Sequence, residues 1–217
     1  MSLDPNRFTQ ALVRVHRLLP IDKVPLLPAQ PGLPWPLTLA DTPEDLTAQL
    51  HAPDLTHLRE DAMYYSSTGR FTQDVKGRGA WYAAESLETC VEEIGHHFLS
   101  GVKKRSTLAH VADYQVIEAL VCDAVYDVTD DPLYAQAAAQ VNSYTETQVF
   151  GDLIRAGAWA GIRYPSKRDP GGVCYALLRP DAIRAVTPTG QVLRFTYRPE
   201  WDVPGQVPLD VADVTGA

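Results

Sequence analysis

The stretch AWYAAESLETCVEEIGHHFLS, residues 80–100, decides the fold. Its opening, 80–85, is apolar and aromatic and predicts a short buried strand. Ser86 then stands where a helix needs an N-cap, and Glu88 places a carboxylate against the positive helix N-terminus. Leu87, Cys90, Val91, Ile94 and Phe98 follow at helical spacing and form one apolar stripe. The same periodicity sorts the polar residues. At about 100° per residue, Glu93 and His97 fall beside the edge of the stripe occupied by Cys90, whereas Glu92 and His96 point away. Glu93 is therefore expected at a buried margin or cleft, and Glu92 in solvent.

Upstream, TGRFTQDVKGRG (68–79) is rich in turn residues. Downstream, strands are expected at 108–113 and 116–121. An alanine-rich helix is expected at 132–141 and another at 146–156, ending near Gly157. Strands at 161–164 and 173–178 flank the polar loop PSKRDPGG, and a last hairpin runs from 185–187 to 192–197 around Thr189-Gly190. Residues 1–40 are proline-rich, and LPIDKVPLLPAQPGLPWPL (19–37) reads as extended and irregular. Thr42, Pro43, Glu44 and Asp45 make a helix start, with a short helix to about residue 51. The expected organisation is an N-terminal proline-rich extension packing on the domain (1–55), one α+β domain (56–200) and an acidic, partly mobile C-terminal tail (201–217).

The chain has 217 residues, 45% of them hydrophobic and 21% charged, which suits a globular protein with its own core. It contains no apolar run of the ~18 residues that a membrane helix needs. The first 20 residues include Asp4 and lack an uninterrupted apolar segment, so no secretory signal is read and a cytoplasmic location is expected. Three widely spaced cysteines suggest reduced thiols rather than a disulfide framework or zinc knuckle. Adjacent His96 and His97 diverge on a helix and no HExxH pattern occurs, so no metal site is expected. A net charge of −8 argues against a broad nucleic-acid surface. It leaves room for a local arginine that holds a phosphate.

GRF at 69–71, AWYAAESLETCVEE at 80–93, His97, YTETQVFGDLIRAGAWAG at 144–161 and GIRYPSKRDPGGVCYALLRP at 161–180 together resemble a RES domain, over roughly residues 60–200. That family is named for its arginine, glutamate and serine. The resemblance implies a compact mixed fold related to the ADP-ribosyltransferase folds. It implies an NAD+-degrading toxin, glycohydrolase- or phosphorylase-like, that breaks the nicotinamide–ribose bond. NAD+ would be a substrate, with no cofactor retained. The implied partner is an antitoxin with a helix-turn-helix DNA-binding domain, without direct nucleic-acid or membrane binding by this chain, and a homodimer is compatible with the family. The acceptor stays open among water, phosphate and protein. A protein ADP-ribosyltransferase and a catalytically silent binding protein are the alternative readings.

Carried over residue by residue, the family arginine falls on Arg70, whose guanidinium suits a dinucleotide phosphate. Arg78 is the rival if the loop aligns differently. The family tyrosine falls on Tyr82, toward the nicotinamide or ribose. The glutamate falls on Glu93, whose carboxylate can stabilise an oxocarbenium-like ribose. The serine falls on Ser166, whose hydroxyl can bind phosphate or the nicotinamide amide; no G-x-S-x-G elbow makes it an acylating nucleophile. His97, one helical turn beyond Glu93, can orient it or contact substrate. Lys167 and Arg168 supplement the phosphate site. Gln148 and Arg155 fit the family order, and Gln148 has no chemical role derivable from sequence. The chain departs from many relatives at RFTQ and at Cys90, where alanine is usual; neither change removes a proposed functional group.

Overall fold

The apolar run at 80–85 becomes a strand whose alternate residues serve two separate cores. Ala80 and Ala84 face one, Trp81 and Ala83 the other. A strand buried on both faces lies inside a sheet that is covered on both sides. The computed structural model describes residues 3–4, 6–9, 12–21, 57–64, 68–105, 109–139, 143–157, 159–202 and 207–215.

Among the described residues the strands are β1 (Phe8–Thr9), β2 (Val13–Pro20), β3 (Trp81–Ala84), β4 (His110–Val121), β5 (Val125–Asp127), β6 (Gly161–Pro165), β7 (Val173–Leu177), β8 (Ile183–Tyr197) and β9 (Leu209–Asp213). The α-helices are α1 (His57–Tyr64), α2 (Leu87–Arg105), α3 (Pro132–Ala138) and α4 (Thr145–Ala156). One sheet runs in the order β1-β5-β6-β7-β3-β2-β4-β8-β9, antiparallel except for the β5–β6 pair. On one face, α2, α3 and α4 cover a core that includes Phe71, Cys90, Tyr134, Phe150 and Phe195. On the other, Met63 of α1 packs with Trp81, Ile117, Tyr175 and Leu177. This is the mixed α/β architecture expected from the sequence.

Three expectations are corrected. The two strands at 108–113 and 116–121 are one strand, β4, because Asp113 does not turn the chain. It pairs with Arg194 on β8, which donates to both carboxylate oxygens at 2.8 Å. The hairpin around Thr189-Gly190 is instead a bulge: β8 keeps its direction and pairs with β4 on both sides of it. Gly190 at φ +83° supplies the left-handed residue such a bulge needs, and Ala185 at φ +50° lies at a second register shift. Residues 13–20 do not pack on the domain as an extension. They form β2 inside the sheet, paired along their length with residues 114–121 of β4. Within the tail, residues 209–213 form the edge strand β9 against β8. The expected helix at 42–51 lies outside the described residues, as does nearly all of 19–37.

Candidate active site

α2 sets the position of Glu93. Cys90 is buried, and Leu87, Val91, Ile94 and Phe98 pack on the same core, as their spacing predicts. This leaves Glu93 half-buried and Glu92 exposed. Glu93 Oε1 accepts the Ser166 hydroxyl at 2.6 Å and the Lys167 backbone N–H at 3.3 Å, and the Cys174 thiol lies 4.0 Å away. Ser166 Oγ itself accepts the backbone N–H groups of Arg168 and Asp169 at 3.0 and 3.1 Å. A hydroxyl has one proton and two acceptor sites. The loop fills both acceptor sites, so the proton is directed at Glu93. Among the described residues, Oε2 of Glu93 accepts no hydrogen bond.

The Ser166 loop joins β6 to β7 and is pinned to the start of α2. Thr89 donates its hydroxyl to Asp169 Oδ2 at 2.6 Å, and Ser166 N–H donates to Gly172 O at 2.8 Å. A Cβ on Gly172 would lie 2.5 Å from both Asp169 Oδ2 and Thr89 Oγ1, so only glycine lets the loop sit this close to the helix.

Arg70 approaches from the turn before β3. Its Nη1 donates to the Tyr134 hydroxyl at 3.2 Å, and its guanidinium carbon lies 5.4 Å from the centre of the Tyr164 ring. Burial acts to lower its pKa, but Tyr134, Tyr164 and Glu93 outweigh it and hold the guanidinium charged. Arg70, Lys167 and Arg168 line an open cleft together with Ala138, Ser143, Tyr144 and Thr147. The Lys167 ammonium donates to Ala138 O, bridging the cleft to the end of α3. Burial, with the nearby charges of Arg70 and Arg168, lowers its pKa. Three cations line one opening and concentrate positive charge there in a chain of net charge −8. Glu93 is not a wall of this cleft. It lies behind Lys167, whose N–H it accepts.

The structure thus brings together Arg70, Ser166, Arg168 and Glu93. Arg78 is absent from the cleft wall and pairs with Asp152 at 3.2 Å. Tyr82 places its hydroxyl under the Arg70 turn, where it accepts Phe71 N–H at 3.2 Å. The histidines reverse the expected order: His97 is exposed and His96 half-buried. Sequence reasoning missed Tyr134, Tyr164, Thr89 and Asp169. They act through contacts between distant segments, and nothing local in the sequence marks them. Among the described residues, no group of three or more His, Cys, Asp or Glu side chains gathers to hold a metal ion, and no helix is long and apolar enough to cross a membrane.

A family model described as RES domain matches residues 47–198, a span that holds the Arg70 turn, Glu93 and the Ser166 loop. The chain belongs to the RES domain family. The RES match begins after β2 and ends before β9, so both strands lie outside it although they pair within the same sheet. None of the curated proteins matches this RES chain. Among solved structures, a chain from the crystal structure of the M. tuberculosis MbcT-MbcA toxin-antitoxin complex is similar at a TM-score of 0.44 and 16% identity, over 96% of this chain and 87% of that one.

Proposed function

We propose that this RES protein cleaves NAD+ at the nicotinamide–ribose bond. One observation carries the reading: a carboxylate with one oxygen anchored, and the other accepting no hydrogen bond from the described residues, stands beside a cleft lined by three cations. NAD+ presents the complementary chemistry. Its pyrophosphate matches Arg70, Lys167 and Arg168. Its glycosidic bond, on breaking, builds positive charge on the ribose, which a fixed carboxylate stabilises. In this reading the bond from ribose C1′ to the pyridinium nitrogen breaks, and its electron pair leaves with nicotinamide. Glu93 Oε2 faces the cationic ribose while Ser166 holds Oε1. An acceptor oxygen, from water or phosphate, bonds to C1′ and gives up its proton to solvent or Glu93. The hydroxyl of Tyr82 is engaged at the Arg70 turn, so its ring is the part offered to the nicotinamide side. His97 contributes at the exposed flank.

NAD+ is then consumed rather than retained as a cofactor. RES membership extends the proposal to a cytoplasmic growth-arresting toxin, held in check by an antitoxin with a helix-turn-helix domain. Product analysis tests the chemistry. The protein, freed of any partner, is incubated with NAD+ in the presence and absence of phosphate, and the products are resolved by mass. Nicotinamide with ADP-ribose marks hydrolysis; nicotinamide with a phosphorylated ADP-ribose marks phosphorolysis; ADP-ribose retained on protein marks transfer. No nicotinamide under any condition contradicts the proposal.

A further inference from the structure

Gln148 has no role in the chemistry above, yet its amide nitrogen is committed to two backbone carbonyls. Nε2 donates to Gly69 O at 3.0 Å and to Thr72 O at 2.9 Å, the two residues that bracket Arg70 and Phe71. Gly69 N–H also donates to Thr72 O at 2.9 Å, closing the turn on itself. The neighbouring Thr147 hydroxyl donates to Arg70 O at 2.6 Å. One turn along α4, Gly151 lies against Phe71, where a Cβ would come within 2.1 Å of the carbonyl oxygen. Asp152 accepts from Arg78 and from Gln73 at 3.2 and 3.3 Å. Arg155 donates to Arg78 O and Gly79 O, both at 2.8 Å.

Thr147, Gln148, Gly151, Asp152 and Arg155 recur at helical spacing on one face of α4. That face is a rail along which the loop from Gly69 to Gly79 is fixed. The rail binds the turn by its backbone and leaves the Arg70 side chain free to point at Tyr134, Tyr164 and the cleft.

We infer that Gln148 is a positioning residue for the substrate phosphates: it fixes the 69–72 turn and acts on the substrate only through Arg70. The inference rests on the NAD+ reading above for its substrate. A glutamine at this position is suited to the task because one amide nitrogen has two protons for two carbonyls. Leucine supplies none. Glutamate keeps the shape but sets an acceptor against two acceptors.

The test joins steady-state kinetics with backbone hydrogen exchange on the full chain. Gln148→Leu, with Gln148→Glu as the isosteric second variant should the first fail to fold, is compared with Arg70→Ala and with the double variant. In an otherwise wild-type background the loss should fall on KM for NAD+, roughly tenfold, with kcat within about twofold. In the Arg70→Ala background the same change should cost less than about twofold, because its route to the substrate is already gone. Exchange at residues 69–72 should quicken in the Gln148 variant while the other sheet segments keep their protection. Equal losses in both backgrounds, or unchanged exchange at 69–72, overturn the inference. Failure of the wild type to consume NAD+ sinks the functional reading instead, and the exchange arm still decides whether Gln148 holds the turn.

Discussion

Ser166 donates its hydroxyl proton to Glu93 across 2.6 Å, although the two residues stand 73 positions apart in sequence. The contact ties a loop between two strands to the middle of a helix, and it fixes one carboxylate oxygen while the other accepts no hydrogen bond from the described residues. Ser166→Ala removes the donor to Glu93 and the acceptor for the N–H groups of Arg168 and Asp169. Losing one charge-assisted bond and freeing two loop amides is worth roughly 1.5–3 kcal/mol. The expected outcome is a fall in kcat of about ten- to a hundredfold, with a modest loss of Tm. Steady-state kinetics beside thermal unfolding check it, and a kcat equal to the wild type would detach Ser166 from Glu93 in function.

Arg70 meets the cleft with a planar, permanently charged group. Arg70→Lys preserves the charge but loses the fork. KM for NAD+ should rise by about tenfold for lysine and further for alanine, and the dependence of KM on salt should weaken in Arg70→Ala. Arg78→Ala, whose partner Asp152 lies on α4 away from the cleft wall, should change KM much less. Kinetics across a salt series measure all three variants.

Two glycines in helices should respond in opposite directions to alanine. On α4, a Cβ at Gly151 would lie 2.1 Å from Phe71 O, so Gly151→Ala must push the Arg70 turn away from the helix. A loss of roughly 1–3 kcal/mol is expected, with activity falling as well. On α2, a Cβ at Gly101 meets nothing within 4 Å. Gly101→Ala should stabilise by about 0.5–1 kcal/mol through helix propensity. Denaturant titrations of the two variants give both signs.

Cys90 and Cys174 are buried near Glu93, and burial pushes each thiol up to about 12; Glu93 adds to this, while Leu18 and Arg17 oppose it at Cys90 and Arg70 and Ser166 at Cys174. At pH 8 the thiolate fraction of each is therefore on the order of one in ten thousand, and both should resist alkylation in the native protein. Cys122 is only half-buried. A native titration should find at most one reactive thiol per chain and a denatured one should find three. Rapid native labelling at Cys174 would mean that the floor of the site opens to solvent.

The reach of sequence reasoning follows the range of the interactions. The α2 stripe and the separation of Glu93 from Glu92 are set by periodicity within a few turns, so both were legible. Strand β2 was not. Its alternation, Val13-Arg14-Val15-His16, is broken at Arg17, whose guanidinium lies 4.4 Å from the centre of the Trp81 ring rather than in solvent. The Gly190 bulge looks like a hairpin in sequence because a glycine at positive φ serves either, and only pairing with β4 decides between them. The work of Gln148 was illegible for the same reason: its partners are backbone carbonyls 76 and 79 residues away. Resemblance could mark Gln148 but could not say what its amide touches.

The role of Glu93 is tested most directly by nicotinamide release from NAD+ by the wild-type protein and by Glu93→Gln, with folding and ADP-ribose binding measured on both. Release by the wild type is expected, with a loss of at least about a thousandfold in the variant, which stays folded and still binds ADP-ribose through Arg70, Lys167 and Arg168. A folded Glu93→Gln protein that releases nicotinamide at the wild-type rate would contradict that role.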